Sequence, residues 1–169
     1  VEGVFTIEPR FETRDEFVIA GYRKHTRDGF QAIGEAWFEL KSHMDAIERK
    51  NMHTMYGFED YSEEFSSEPL AFYYMAGVEV DKDTELLDGM YRKVVPKAEY
   101  AVFTVNGNNA NGEIGKAFRY IYFVWLPHSQ YCIDEEALFD FEYYDERWDC
   151  QFGTAQMDIY VPVKRMGDA

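Results

Sequence analysis

Cysteine is nearly missing from this chain of 169 residues, which holds only Cys132 and Cys150. Two isolated thiols make neither a zinc pattern nor a disulfide framework, so a reducing cytoplasm is the expected setting. Runs of Lys and Arg are missing as well. The net charge is −15, from 32 acids against 17 bases. Phosphate binding needs clustered cations, so direct contact of this stretch with nucleic acid is not expected. The same charge draws cationic small molecules toward any cleft. No apolar run approaches a membrane span and no signal peptide is visible, so no membrane contact is expected. His25, His43, His53 and His128 are scattered without metal spacing. Asp134, Glu135 and Glu136 lack the alternating ligands of a calcium loop and read as a solvated turn. Neither metal nor cofactor is expected.

Aromatic residues, by contrast, are plentiful: 13 Tyr and 14 Phe, with rings at 18% of the chain. Rings offer flat faces and polar tips, which serve a ligand cavity as well as a core. One stretch concentrates them. In DFEYYDERW (140–148), Phe141, Tyr143 and Tyr144 crowd around Glu142. A carboxylate among rings is costly without a cation beside it. That cation is either internal (Arg92, Arg119 or Arg147) or a bound molecule.

The same pattern occurs earlier in the chain. GFEDYSEE (57–64) aligns with DFEYYDER (140–147), so Glu142 follows Glu59 by 83 residues. IGEAWFEL (33–40) aligns with IGKAFRYI (114–121), and EFVIAGYRK (16–24) with EYAVFTVNG (99–107). Three matches in one order at nearly one offset indicate an internal duplication. Residues 16–22 and 100–105 read as strands. Ile33, Ala36, Trp37, Leu40, Met44 and Ile47 fall on one helical face, as do Ile114, Ala117, Phe118, Ile121 and Trp125, with Pro127 ending the run. NGNNANG (106–112) reads as a loop. Each half then has a Phe-Glu-x-Tyr strand and one more strand, within 70–80 and 157–164. The expected fold is α+β. Duplicated β-α-β-β halves, about 4–82 and 90–165 of a single 1–169 domain, carry helices on one face of antiparallel sheets and hold a cleft between them.

Alternation along a strand puts Phe139, Phe141 and Tyr143 on one face, with Asp140, Glu142 and Tyr144 on the other. The all-ring face is expected to pack on the helix, turning Glu142 and Tyr144 toward the cleft. Met157, Ile159, Val161 and Val163 then take the helix side and leave Tyr160 in the cleft. Tyr73 and Met75 hold the matching places in the first half. Phe103, Phe118 and Trp125 complete the candidate ligand lining. Glu59, with fewer rings nearby, reads as a surface or structural acid.

VPKAEYAVFTVNG (95–107), WLPHSQY (125–131), FEYYDER (141–147), DIYVPVK (158–164) and YMAGVEV (74–80) together resemble the GyrI-like, or AraC-type, effector-binding domain family. The resemblance runs over nearly the whole chain. It implies that Glu142 is the charged residue of a ligand cleft accepting lipophilic, cationic, drug-like molecules. Gln130 stands where the family often has Gly, and Phe118 where it often has Trp, which bears on pocket shape. Family regulators usually add a DNA-binding domain. The chain is therefore expected to be the effector sensor of such a regulator or a stand-alone ligand binder, with a DNA-binding domain or a homodimer partner. Two other functions fit the same resemblance. One is a hydrolase of cyclopropane-bearing alkylating toxins using Glu142, with Tyr144 or Tyr160 orienting it. The other is an acidic inhibitor that docks on an enzyme.

Overall fold

In a computed structural model, residues 6–62, 71–107, 112–149 and 154–167 are described. The elements run β1 (Arg10–Arg14), β2 (Phe17–His25), α1 (Gln31–His43), β3 (Met55–Asp60), β4 (Tyr73–Glu79), β5 (Tyr91–Val95), β6 (Ala98–Asn106), α2 (Glu113–Tyr120), α3 (Leu126–His128), β7 (Tyr131–Ile133), β8 (Phe139–Tyr144), β9 (Trp148–Asp149) and β10 (Thr154–Arg165). A π-helical segment, Ile121–Trp125, joins α2 to α3. Pro127 stands at the start of α3, where its missing N–H costs little.

All main strands belong to one antiparallel sheet in the order β1-β6-β10-β8-β3-β4-β2-β5, with β7 and β9 pairing on β10. The order is the duplication made physical. Strands β2, β4 and β3 of the first half mirror β6, β10 and β8 of the second, and β3 pairs with β8 at the centre. The short strands β1 and β5 were not legible in the sequence. Each pairs with the other half: β1 with β6 and β5 with β2. This exchange covers the backbone edges that β2 and β6 would otherwise expose.

Helix α1 packs on β2 and β4, and α2 packs on β6. Under α1 lie Val18, Ala20, Tyr22, Tyr74, Ala76 and Val78; under α2 lie Ala101, Phe103, Val105, Met157, Ile159 and Val161. The opposite face is just as apolar, with Phe17, Tyr56, Phe58, Tyr100, Phe139, Phe141 and Tyr160 in one cluster. Phe141 touches Phe17 at 5.7 Å and Tyr100 at 5.4 Å between ring centroids. In a flat sheet β2 and β8, three strands apart, would be separated by about 14 Å. The sheet is therefore strongly curled, and its inner face closes on itself around Phe141.

That curl corrects one expectation. The all-ring face of β8 does not pack on a helix; it fills the inside of the curl. Ile159 pairs directly with Glu142, and Tyr160 with Phe141. Glu142 and Tyr144 therefore lie on the helix side of the sheet. Both faces of β8 are buried, so apolarity alone could not say which face meets a helix.

Because Phe141 is fully buried and meets Phe17, Tyr56, Phe58, Tyr100 and Tyr160, Phe141→Ala is expected to cost about 3–5 kcal/mol. Urea denaturation checks this, as a lowered midpoint at unchanged slope.

Candidate functional site: three buried carboxyls between the helices

Since α1 covers β2 and β4 while α2 covers β6, the central strands β3 and β8 form the floor between the helices. The register here is specific: Gly57 opposes Glu142, and Glu59 opposes Asp140. Alternation then brings Glu59, Asp140 and Glu142 to the same face. All three are buried, at 4%, 0% and 7% exposure. Glu59 is thus no surface acid, as its sequence surroundings suggested, but a member of this cluster.

Four tyrosine hydroxyls reach the cluster, from four separate places in the chain. Tyr74 on β4 donates to Glu142 Oε1 at 3.1 Å, and Tyr144 donates to the same oxygen at 2.5 Å. Tyr61, just after β3, donates to Asp140 Oδ2 at 3.0 Å, and Tyr122 of the π segment at 2.5 Å. Trp37 on α1 closes the arrangement. Its Nε1 donates to Tyr74 at 2.8 Å, and its ring meets Tyr144 edge-on at 5.4 Å.

Gly57 makes room for this. A Cβ there would stand 2.2 Å from the Tyr74 hydroxyl and 2.9 Å from Glu142 Oε1. By the 83-residue offset Gly57 corresponds to Asp140, Glu59 to Glu142 and Tyr61 to Tyr144. The two halves supply similar strands, and the absent side chain at Gly57 breaks their equivalence.

Among the described residues, no ion pair reaches these carboxyls. Arg92 donates to the Thr84 carbonyl and Arg147 is held by Asp145 and Asp158. Among the described residues, no group of His, Cys, Asp or Glu is arranged to hold a metal ion. Burial drives the Glu59 carboxyl well above the usual carboxylate range, and the charges of Glu142 and Asp140 add to it. Burial raises Asp140 too, against the hydroxyl hydrogen bonds from Tyr122 and Tyr61 that favour its ionised form.

The sequence-derived candidates separate into two groups. Glu142 and Tyr144 are together in the cluster. Phe103 lies on the same side of the sheet but is fully buried beneath α2, edge-on to Trp125 at 5.1 Å. Trp125 itself packs toward Phe11 and Tyr131, and half-buried Phe118 packs on the α2 core. Tyr73, Met75 and Tyr160 project from the other face, correcting their expected place beside Glu142. Tyr73 meets His25 and Arg23, Met75 sits in the inner core, and Tyr160 stacks on Phe141. Sequence reading missed Trp37, Gly57, Tyr61, Tyr74, Tyr122 and Asp140. The offset alone could have found Tyr61, since it repeats Tyr144.

A second concavity of about 480 Å³ opens on the other face, lined by Arg10, Arg14, Tyr56, Tyr143, Arg147 and Tyr160 among others. Its charges are largely matched from within. Arg147 and Arg10 both hold Asp158, and the Arg14 guanidinium lies over Phe17 at 3.8 Å and donates to Tyr56. Cys132 is a free, exposed thiol, while Cys150 lies outside the described residues, as do 108–111 of the expected loop. No helix among the described residues is long and apolar enough to cross a membrane.

A curled antiparallel sheet with two helices and an acid-centred aromatic site defines the class. The sequence profile of the GyrI-like small molecule binding domain matches residues 7–164, and the chain belongs to that family. Over 93 residues it is 37% identical to the transcriptional regulator BrlR of Pseudomonas aeruginosa PAO1, covering 54% of this chain. The matched part spans about a third of that regulator's length, 33%. SAV2435, solved with tetraphenylphosphonium bound, superposes with a TM-score of 0.65 at 16% identity, over 93% of this chain and 94% of its own. EcmrR, solved in complex with DNA, gives 0.64 at 13% identity, over 95% of this chain and 58% of its own. These structural likenesses establish the shared fold.

A carboxyl raised on folding binds more protons in the native state than in the unfolded one. Its contribution to stability therefore falls as pH climbs from the ordinary carboxyl range through the raised value, by up to about 1.4 kcal/mol per pH unit. Glu59→Gln keeps the shape of the protonated acid, and should lose most of this decline and gain on the wild type toward high pH. Thermal midpoints from pH 5 to 9 measure it. Gly57→Ala should instead lower the midpoint at every pH, because its methyl displaces Tyr74.

Proposed function

We propose that the site between α1 and α2 binds lipophilic organic cations, with Glu142 as counter-charge and Trp37, Tyr74 and Tyr144 as the aromatic wall. The observation that carries this reading is the combination at Glu142: a buried carboxyl, aromatic on several sides, with no ion-pair partner among the described residues. A unit charge pair at about 4 Å is worth roughly 4 kcal/mol at an effective dielectric near 20. A desolvated cation against a ring adds about 2 kcal/mol. Stacking and charge attraction tolerate many ligand shapes, which suits a broad binder better than one with fixed hydrogen bonds. SAV2435, a protein of the same fold, was solved with a lipophilic cation bound, which supports the choice of probe.

In the whole protein we place this domain as the effector-sensing part of a transcription regulator. The similarity to a stretch of BrlR supports that role. DNA contact would then belong to another part of such a regulator, since the acidity of this chain opposes it.

A ligand reaching Glu142 must displace Trp37 from its contacts with Tyr74 and Tyr144, so tryptophan fluorescence should report binding. Titration with tetraphenylphosphonium should quench wild-type emission saturably. Glu142→Gln should bind about 10–100-fold more weakly, a loss of roughly 1.4–2.7 kcal/mol. Trp37→Phe should remove most of the signal change. Equal affinity in wild type and Glu142→Gln would overturn the electrostatic basis of the reading.

A further inference from the structure

The distribution of hydrogen-bond donors over the three carboxyls is uneven. Asp140 receives Tyr61 and Tyr122, and Glu142 receives Tyr74 and Tyr144. Glu59 receives no hydroxyl among the described residues. Its Oε2 and Asp140 Oδ1 are both buried without a partner, and the two residues stand directly opposite each other across β3 and β8. Two facing carboxylates in that position would each leave an oxygen desolvated and unmatched, with like charges side by side. One proton resolves both problems: carried by Glu59 and donated toward Asp140, it partners both oxygens and removes one of the two facing charges.

We infer that the site exchanges a proton for its ligand: when an organic cation docks against Glu142, the proton held between Glu59 and Asp140 leaves for solvent. The inference rests on the cation-binding reading above and adds to it the role of Glu59. Before binding, ionising Glu59 would gather three negative charges in one buried place. A cation against Glu142 offsets one of them, so the energetic reason for holding the proton is weakened. The step balances: a carboxyl facing a carboxylate becomes two carboxylates, and the proton passes to the buffer. The groups facing this pair are few. Glu142 and Tyr144 come from β8, Tyr74 from β4, Tyr61 from the segment after β3 and Tyr122 from the π segment, while α1 contributes the non-titrating Trp37. Burial and neighbouring carboxylates push all four tyrosines above their ordinary range, so they stay neutral and the titrating proton belongs to the Glu59–Asp140 pair.

Tetraphenylphosphonium has no ionisable group, so any proton change on its binding belongs to the protein. Calorimetric titration at one pH in phosphate and in Tris, whose ionisation heats differ, counts that proton. For wild type the binding heats should differ between the buffers by an amount corresponding to release. Affinity should climb with pH, up to tenfold per unit below the Glu59 value. Glu59→Gln should still bind, with the same heat in both buffers and a flat pH dependence. Buffer-independent heats with intact wild-type binding would overturn the exchange and leave the cation site standing. No binding by wild type would overturn the cation site and the exchange with it. A ligand-free measurement tests the shared proton itself: the infrared carbonyl band of a protonated carboxyl should be present in wild type at neutral pH and lost in Glu59→Gln. Absence of that band from wild type would overturn the shared proton.

Discussion

The antiparallel pairing of β3 with β8 is the constraint on which the rest of this protein depends. It joins the two halves of a duplicated chain into one sheet and sets a register in which Glu59 faces Asp140 and Gly57 faces Glu142. A slip of one residue in either strand would turn its buried acids to the inner face and its inner phenylalanines to the helices. The pairing holds because both faces are occupied. Phe58 stacks on Phe139 inside the curl, while Tyr74 and Tyr144 fix Glu142 on the outside.

Duplication supplies two similar strands, but the site is not symmetric. Repeating the motif faithfully would have placed two equivalent acids about the central axis. Gly57 stands where the second half has Asp140, and that vacancy admits the Tyr74 hydroxyl to Glu142. The helices diverge too: Trp37 on α1 reaches Tyr74, whereas Phe118, its counterpart on α2, packs into the core and Tyr122 reaches Asp140 instead. One acid is thereby left supported by rings and hydroxyls, and another is left without donors. The difference in donor supply, more than the number of carboxyls, gives Glu142 and Glu59 different chemical roles.

Curling the sheet has a second consequence. The inner face becomes a closed aromatic core that anchors β8 from behind, so the carboxyl-bearing face is held by a rigid floor. Arg14 at the end of β1 extends this core outward by lying over Phe17 and bonding Tyr56. The exchange of β1 and β5 between halves ties both edges into the same unit. The site therefore sits on central strands, which are the least free to move.

Much of this was legible in the sequence. The 83-residue offset, the β-α-β-β order and the ring-crowded Glu142 follow from local patterns, because helical and strand periodicities and a repeated motif survive in one dimension. The nearest cation along the chain, Arg147, left the counterion of that acid open, and only the structure turned it to Asp145 and Asp158. Tertiary structure alone decided which face of β8 meets the helices, since both faces are buried and alternation cannot rank them. It alone gathered Trp37, Tyr61, Tyr74 and Tyr122 around the acids, because residues from α1, β4, the segment after β3 and the π segment meet only when the sheet closes. And it alone converted Glu59 from a solvated charge into a buried one, because burial is set by what packs over a side chain rather than by its neighbours along the chain.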